Sequence, residues 1–125
     1  MKYYVLGLGL VGKSFLNILK DNKEFNPNTF YCIDEDKSKV NDFIKLGGKR
    51  SNFKCIKIDQ DNVLDILNKL NDGDYLFDFT TNVKSLLILE YCITHNVHYL
   101  YTADSSWVND KSWISIHQHF LEYLK

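Results

Sequence analysis

The sequence predicts a three-layer α/β fold, in which a parallel sheet of about five strands lies between helices on both faces. Short apolar runs rich in aromatic and β-branched residues alternate five times with stretches whose apolar residues recur at helical spacing. Parallel neighbours need a crossover connection, and helices provide it. Since 125 residues are the length of one domain, we expect residues 1–125 to form a single domain.

The first half of the chain supplies three strands and two helices. The first strand is predicted over 3–6, and a helix over about 11–20 follows, with an apolar stripe made of Val11, Phe15, Ile18 and Leu19. Residues 21–28 carry turn-forming Asn, Asp and Pro and are predicted as a loop. The second strand is predicted over 29–33, a second helix over about 37–46, and the third strand over 53–58.

The second half continues the alternation. Asp61 is expected to cap a third helix, whose apolar residues are Val63, Ile66, Leu67 and Leu70. The fourth strand is predicted over 75–80, a fourth helix over about 83–95 and the fifth strand over 97–102. A loop is predicted to follow, and then a C-terminal helix within residues 108–125, which covers the exposed face of the sheet or makes a dimer contact.

Three glycines between the first strand and the first helix have the G-x-G-x-x-G spacing of a dinucleotide fingerprint. Gly7 allows the tight turn, Gly9 has no Cβ to obstruct a pyrophosphate, and Gly12 lets the helix lie close to the strand. The fingerprint predicts a Rossmann-like fold that binds a dinucleotide. The alternative is a glycine-rich turn that packs strand against helix and binds nothing.

Asp34 follows the second strand at about the 20-residue offset at which an acid binds the adenosine ribose. A carboxylate there accepts hydrogen bonds from both ribose hydroxyls and repels a 2′-phosphate, so NAD is predicted in preference to NADP. The alternative is that Asp34 only begins the next helix. In sheets of this type the ligand lies beyond the carboxyl ends of the strands, which here are residues 7–12, 34, 59, 80–82 and 102–104.

Composition and the remaining polar residues favour few other functions. A net charge of −1 without a Lys/Arg block gives no reason to expect nucleic acid, and no apolar run approaches the length of a membrane span. There is no signal-peptide pattern at the N-terminus. Cys32, Cys55 and Cys92 are interpreted as reduced, buried thiols, which predicts a cytoplasmic protein. The four histidines are not spaced as metal ligands, so no metal site is expected.

Asp78 lies inside an apolar strand, and two interpretations remain open for it. Either it faces the cofactor cleft, or it is a core carboxylate whose hydrogen bonds are satisfied. Trp107 and Trp113 are interpreted as packing residues of the C-terminal segment, with stacking on a cationic ligand as the alternative. Ser105 and Ser106 lack the surroundings of a hydrolase nucleophile.

Several short segments together resemble one family. They are Val5-Leu6-Gly7 with Gly9 and Val11-Gly12, then Ile33-Asp34, Ile56 to Asp59, Asp78 to Asn82, and Tyr99 to Ala103 followed by Trp107. In this order they resemble the N-terminal half-domain of the saccharopine dehydrogenase-like enzymes, and among these the homospermidine synthases. The resemblance covers about residues 3–107.

The resemblance implies an NAD-binding domain of an enzyme that transfers hydride to and from amine and imine carbons. It places Gly7, Gly9, Leu10 and Val11, with Gly12, at the pyrophosphate, Asp34 at the ribose and Asp59 at the adenine end. Thr80 and Asn82 would lie on the nicotinamide side, and Thr81 and Thr102 complete the predicted cofactor-binding set. Tyr101 stands where the family is usually acidic, and Asp104 is nearby.

The family places its substrate pocket and dimer interface in a further C-terminal region. We therefore expect part of a split or truncated oxidoreductase of polyamine metabolism, which needs a partner chain with a substrate domain and is inactive alone. A homodimer is a further possibility. The alternatives are a lone nucleotide-sensing domain of the potassium-channel gating type, which dimerises, and a scaffold that has lost its ligand.

Overall fold

A five-stranded parallel sheet is the centre of the computed structural model, which describes residues 1–21, 25–80 and 85–102. The strands are β1 (Tyr3–Leu6), β2 (Phe30–Asp34), β3 (Phe53–Cys55), β4 (Tyr75–Asp78) and β5 (His98–Tyr101). Their order across the sheet is β3-β2-β1-β4-β5. The predicted turn residues Thr81 and Asn82, and the predicted loop and helix after residue 102, lie outside the described residues.

Four helices connect the strands: α1 (Leu10–Lys20), α2 (Lys39–Lys45), α3 (Val63–Leu67) and α4 (Ser85–Thr94). Two single 3₁₀ turns, Pro27–Thr29 and Arg50–Asn52, lead into β2 and β3. The predicted alternation of strands and helices is confirmed within the described residues. Two elements, α2 and β3, are three residues shorter than predicted, and β4 and β5 are two residues shorter, whereas α1 begins one residue earlier and β2 is shifted by one residue.

Alternate residues of the three inner strands, β2, β1 and β4, supply two separate hydrophobic cores, one on each face of the sheet. Leu6, Ile33 and Leu76 pack with buried residues of α3 and α4. Val5 and Cys32 pack on the opposite face with Leu16 of α1 and Phe43 of α2. This arrangement confirms the predicted three layers. None of the helices in the described ranges is long and apolar enough to cross a membrane.

The buried face of α1 includes Phe15 and Leu19 of the predicted stripe, which are partly buried, but not Val11 and Ile18. Gly12 and Leu16 are buried, whereas Val11 is 51% exposed and Ile18 is 73% exposed. The reason is the close approach of helix and loop, because a Cβ built on Gly12 would lie 2.6 Å from the carbonyl oxygen of Gly7. This contact fixes which side of the helix faces the sheet, and Val11 and Ile18 lie on the other side.

Two further expectations about the β3–α3 region are wrong. Asp61 does not cap α3; the N-cap is Asn62, and Asp59 Oδ1 instead accepts hydrogen bonds from the N–H groups of Asp61 (2.9 Å) and Asn62 (3.0 Å). Cys55 is exposed, unlike Cys32 and Cys92. It is the last residue of the edge strand β3, and its thiol donates to the Glu35 carbonyl at 3.3 Å.

Candidate functional site

The candidate site lies where the sheet order changes direction, beyond the carboxyl end of the central strand β1. β1 pairs with β2 on one side and with β4 on the other, and Leu6 lies opposite both Ile33 and Asp78. Beyond these pairs the chain continues into two loops. The Gly7 N–H donates to the Ile33 carbonyl of β2 at 2.8 Å, and the Phe79 N–H donates to the Leu6 carbonyl of β1 at 2.8 Å. The loops after β1 and β4 therefore form the two walls of a crevice, the usual ligand site of open α/β sheets.

The backbone requires glycine at two of the three fingerprint positions, and the third is open. Gly7 has a φ of +85°, a conformation that side chains with a Cβ rarely adopt. Gly12 has no room for a Cβ, since the carbonyl oxygen of Gly7 would be 2.6 Å away. A Cβ on Gly9 would meet no atom within 4 Å. Among the described residues nothing requires a glycine at position 9, so the open space that they leave in front of it is available to a ligand.

The N-terminus of α1 provides hydrogen-bond donors next to that open space. Gly9 is the N-cap of this 11-residue helix and has no side chain to bond the first N–H groups. The N–H groups of residues 9–12 have no acceptor among the described residues, and the first internal bond of this turn is from Lys13 N–H to the Gly9 carbonyl at 2.9 Å. Free N–H groups and the positive end of the helix dipole are suited to an anion such as a pyrophosphate.

Asp34 connects the end of β2 to the glycine loop. Its Oδ2 accepts a hydrogen bond from the Leu8 N–H at 2.6 Å, and its Oδ1 accepts one from the Asp36 N–H at 2.8 Å. Each carboxylate oxygen can accept two hydrogen bonds, so each keeps one lone pair for a further donor. The carboxylate therefore holds the loop in place and can still accept bonds from two adjacent hydroxyls.

The two walls enclose a cavity of about 180 Å³. It is lined by Gly7, Gly9, Ile33, Asp34, Glu35, Ile56, Ile58, Phe79 and Thr80. Four of these residues, Gly7, Gly9, Asp34 and Thr80, belong to the predicted site. This volume is below the roughly 300–1,000 Å³ of most ligand pockets, so the described residues enclose only part of a dinucleotide-sized ligand.

The other predicted residues that the structure describes are not on the lining of this cavity. Gly12 is buried beneath the loop, whereas Leu10 and Val11 expose their side chains and offer only their backbone N–H groups. The Asp59 carboxylate accepts hydrogen bonds from backbone N–H groups of the turn before α3. Thr102 is exposed and its N–H lies 3.4 Å from the Asp78 carbonyl. Their roles toward a cofactor stay predictions, as do those of Thr81 and Asn82.

Five lining residues were not predicted: Ile33, Glu35, Ile56, Ile58 and Phe79. Ile33, Glu35 and Phe79 are direct neighbours of predicted residues, so their position at strand ends is the signal that identifies them. Ile56 and Ile58 were assigned to the second half of the third strand, predicted over 53–58. In the structure the Ile56 N–H still donates to the Asp34 carbonyl at 3.0 Å, but the strand has ended at Cys55, and the chain then turns along the cavity.

Residues 7–14 also fit the G-x-x-x-x-G-K-S pattern of a phosphate-binding P-loop. The geometry does not support that chemistry, because α1 begins at Leu10 and Lys13 and Ser14 are inside the helix. Lys13 Nζ pairs with Asp42 Oδ2 of α2 at 3.1 Å, which raises the pKa of the lysine. The Ser14 hydroxyl donates to the Leu10 carbonyl at 2.9 Å. Neither side chain is directed to the space in front of Gly9.

Asp78 is a core carboxylate with satisfied hydrogen bonds, the second of its two interpretations. It is 1% exposed, and its partners are Thr80 and the Tyr99 hydroxyl. The histidines in the described ranges make aromatic contacts: His95 stacks on Tyr91 at a centroid distance of 3.9 Å, and His98 stacks on Tyr75 at 4.4 Å. Within those ranges no group of three or more His, Cys, Asp or Glu side chains is placed to hold a metal ion.

A solved structure with the same fold is the homospermidine synthase of Legionella pneumophila in complex with NAD. The two structures superpose with a TM-score of 0.79 at 23% sequence identity, and the match covers 97% of this chain. It covers 26% of that enzyme, so this chain spans about a quarter of its length. A search of curated proteins gave no significant match. The family model of the saccharopine dehydrogenase NADP-binding domain matches residues 3–116, and the chain therefore belongs to this family.

Proposed function

We propose that this chain binds NAD(H) and serves as the nucleotide-binding domain of an oxidoreductase. The observation that carries the proposal is the combination of free N–H groups at the start of α1 with open space in front of Gly9. Both features lie next to the loop that Asp34 holds through the Leu8 N–H, and Gly9 and Asp34 line the same cavity. A dinucleotide has the matching parts, a pyrophosphate between two riboses.

The acidic side of the cavity favours NAD(H) over NADP(H). Asp34 and the exposed Glu35 both line it, and each adds negative charge next to the predicted adenosine ribose. The two remaining lone pairs of Asp34 suit the 2′- and 3′-hydroxyls, whereas a 2′-phosphate would bring more negative charge to the same carboxylates. No described lysine or arginine lines this cavity to offset that repulsion.

When bound, the nicotinamide would supply hydride transfer. The protein groups would bind the cofactor, orient it and exclude water. The N–H groups of α1 bind the pyrophosphate, Asp34 orients the adenosine ribose, and Ile56 and Ile58 exclude water from the adjoining apolar wall. Thr80, on the opposite wall, is the described side chain closest in sequence to the predicted nicotinamide residues Thr81 and Asn82.

For the substrate we infer an amine of the polyamine class, delivered by residues beyond this domain. The structural neighbour is a homospermidine synthase, and this chain covers 26% of it. The described cavity of about 180 Å³ is itself too small for both a dinucleotide and a flexible diamine. A partner chain that carries a substrate domain would supply the rest of the pocket, and the enzyme would then be active as a split oxidoreductase.

Isothermal titration calorimetry of the purified chain with NAD, NADH and NADP, without substrate, tests the proposal. We expect saturable binding of NAD and NADH and at least tenfold weaker binding of NADP. Adenine alone is the matched control, because it lacks the pyrophosphate that the free N–H groups would bind. Absence of saturable binding for all three dinucleotides would refute nucleotide binding, whereas tighter binding of NADP would refute only the role given to Asp34.

A further inference from the structure

A second cavity, of about 80 Å³, lies on the face of the sheet that packs against α3. Tyr4 and Tyr31 line it, and they are paired as the second residues of β1 and β2. Their rings stack at a centroid distance of 4.8 Å. Ser51 and Asn52, which precede β3, also line this cavity. It therefore lies toward the amino ends of the strands, whereas the candidate nucleotide site lies beyond their carboxyl ends.

Two lysines from different elements, Lys54 and Lys69, meet at this cavity and are called the lysine pair below. Lys54 pairs with Ile33 in the sheet and therefore shares its face, the one that α3 covers. Lys69 follows α3, and its N–H donates to the Ile66 carbonyl at 3.2 Å. Both lysines line the cavity. They are close enough that direct contact with Lys69, and then the repulsion by its charge, lower the pKa of Lys54.

No described carboxylate forms an ion pair with either of these lysines. Among the residues that the structure describes, the one ion pair joins Lys13 to Asp42, on the opposite face of the sheet. A further positive charge lies near the pair, since the Lys2 ammonium is 5.7 Å from the centroid of the Tyr31 ring, on the wall of the same cavity. Like charges that face each other are unfavourable. An anion shared by the two ammonium groups would remove this repulsion.

The acid that acts on this cavity, Asp74, is already bonded elsewhere. It contributes, after burial and Tyr31, to raising the pKa of Tyr4. Its two carboxylate oxygens accept hydrogen bonds from the backbone N–H groups of Lys2 and Asn71, at 2.8 Å each. This carboxylate therefore holds the turn before β4, and the charges of the lysine pair remain available to a ligand.

We propose that the lysine pair binds a phosphate dianion, either inorganic phosphate or the phosphate end of a small monoester. Two ammonium groups carry two positive charges, which a dianion neutralises fully and a carboxylate only by half. A cavity of about 80 Å³ suits one such group, since pockets for whole drug-sized ligands measure roughly 300–1,000 Å³. Ile33 is the one described residue that lines both this cavity and the nucleotide cavity. The inference therefore does not depend on NAD binding.

Calorimetric titration with inorganic phosphate at pH 8, compared with acetate at equal ionic strength, tests the site. We expect saturable binding of phosphate and at least tenfold weaker binding of acetate. Lys54→Gln and Lys69→Gln should each weaken phosphate binding at least fivefold. Lys57→Gln is the matched control, because it removes the same charge from a nearby exposed lysine that does not line the cavity, and it should stay within twofold of wild type. Equal losses in all three variants would indicate only the general field of the protein and would overturn the proposal.

Titration of the same variants with NAD separates this site from the nucleotide site. NAD affinity should stay within twofold of wild type in Lys54→Gln and Lys69→Gln, and thermal unfolding checks that both are folded. Unchanged phosphate affinity in these variants would place the bound anion elsewhere, for example at the N-terminus of α1, and would overturn the proposal. Failure of the wild-type chain to bind NAD would refute the proposed function and leave the phosphate result unaffected.

Amine labelling of the wild-type chain supplies a second measurement that needs no variant. With acetic anhydride as the reagent and mass spectrometry as the readout, phosphate should slow acetylation of Lys54 and Lys69 at least threefold, and that of Lys57 much less. Equal protection of all three lysines would contradict the site. A parallel titration with glycerol phosphate distinguishes the two sources of the dianion: tighter binding than inorganic phosphate identifies a monoester, and weaker binding identifies the free ion. Absence of saturable binding for both would refute the site.

Discussion

Alanine substitutions at two fingerprint glycines should have opposite effects on folding and on binding. A Cβ at position 9 would meet no described atom within 4 Å, and the backbone there is extended with a negative φ (φ −82°, ψ −159°). A Cβ at position 12 would lie 2.6 Å from the Gly7 carbonyl oxygen and 3.2 Å from the Phe79 ring. Gly9→Ala therefore perturbs only the ligand's space, whereas Gly12→Ala perturbs the protein.

The expected changes in the free energy of unfolding follow from these contacts. Alanine at position 9 restricts the conformations of the unfolded chain, which stabilises the folded protein by about 0.4–1 kcal/mol. Alanine is also a poorer N-cap than glycine, which destabilises the folded protein by about 0.5–1 kcal/mol. The two terms nearly cancel, so the free energy of unfolding of Gly9→Ala should stay within about 1 kcal/mol of wild type. At position 12 the backbone must move to relieve the contact, and we expect a loss of about 1–3 kcal/mol, as for other overpacked sites.

Chemical denaturation and calorimetric titration with NAD measure the two effects on the same samples. We expect Gly9→Ala to unfold at the wild-type midpoint and to bind NAD at least tenfold more weakly, which is about 1.4 kcal/mol. Gly12→Ala should show the lower midpoint. Wild-type NAD affinity in Gly9→Ala would refute the assignment of the open space to the pyrophosphate, and unfolding of Gly9→Ala would show that the glycine at position 9 is structural.

Three further predictions concern the ribose, the thiols and catalysis. Asp34→Ala should weaken NAD at least tenfold and NADP less, because it removes both the ribose acceptor and the repulsion of a 2′-phosphate; equal losses in titration would contradict the ribose role. At pH 8 a thiol reagent should label the exposed Cys55 in the folded protein, but Cys32 and Cys92 only after unfolding, since burial raises the pKa of both thiols, that of Cys92 to about 12. Rapid labelling of all three would be inconsistent with the described core. Incubated with NAD and putrescine, the chain alone should produce no reduced cofactor, monitored by absorbance, because hydride transfer needs both carbons held at about 3–3.5 Å in an enclosed pocket; turnover above the control without protein would refute the need for a partner chain.

The strands were predictable because each is a run of apolar residues bounded by turn residues, as in Tyr3–Leu6 before Gly7. Their parallel direction was predictable because helices alternate with them. The orientation of α1 was not predictable from its apolar residues. Val11 and Ile18 fit the helical period as well as Leu16 does, and only the contact between Gly12 and Gly7 decides which side is buried. Periodicity identifies a helix, but the tertiary contact orients it.

In the candidate site, too, some features were predictable from the sequence and others depend on tertiary contacts. Gly7, Gly9 and Asp34 were predicted because their spacing reflects chemistry that any dinucleotide needs, and the structure places them on one cavity. The hydrogen bonds of Asp78 were left open, since a carboxylate in an apolar strand has the same sequence signal whether it faces the cleft or the core. Its partners come from the next turn and from β5, the latter 21 residues away, and sequence spacing does not report such pairings.

The central position of β1 has a consequence for synthesis of the chain. β1 is made first, yet its second neighbour, β4, begins only at Tyr75, about seventy residues later. At roughly 5–20 residues per second, the ribosome leaves that side of β1 unpaired for about 4–14 s. During this time Tyr3–Leu6 is an uncharged apolar edge without proline, the kind of edge that recruits other strands. Among the described strands, β1 therefore waits longest for its second partner, so the strand next to the candidate site is exposed to mispairing during that time.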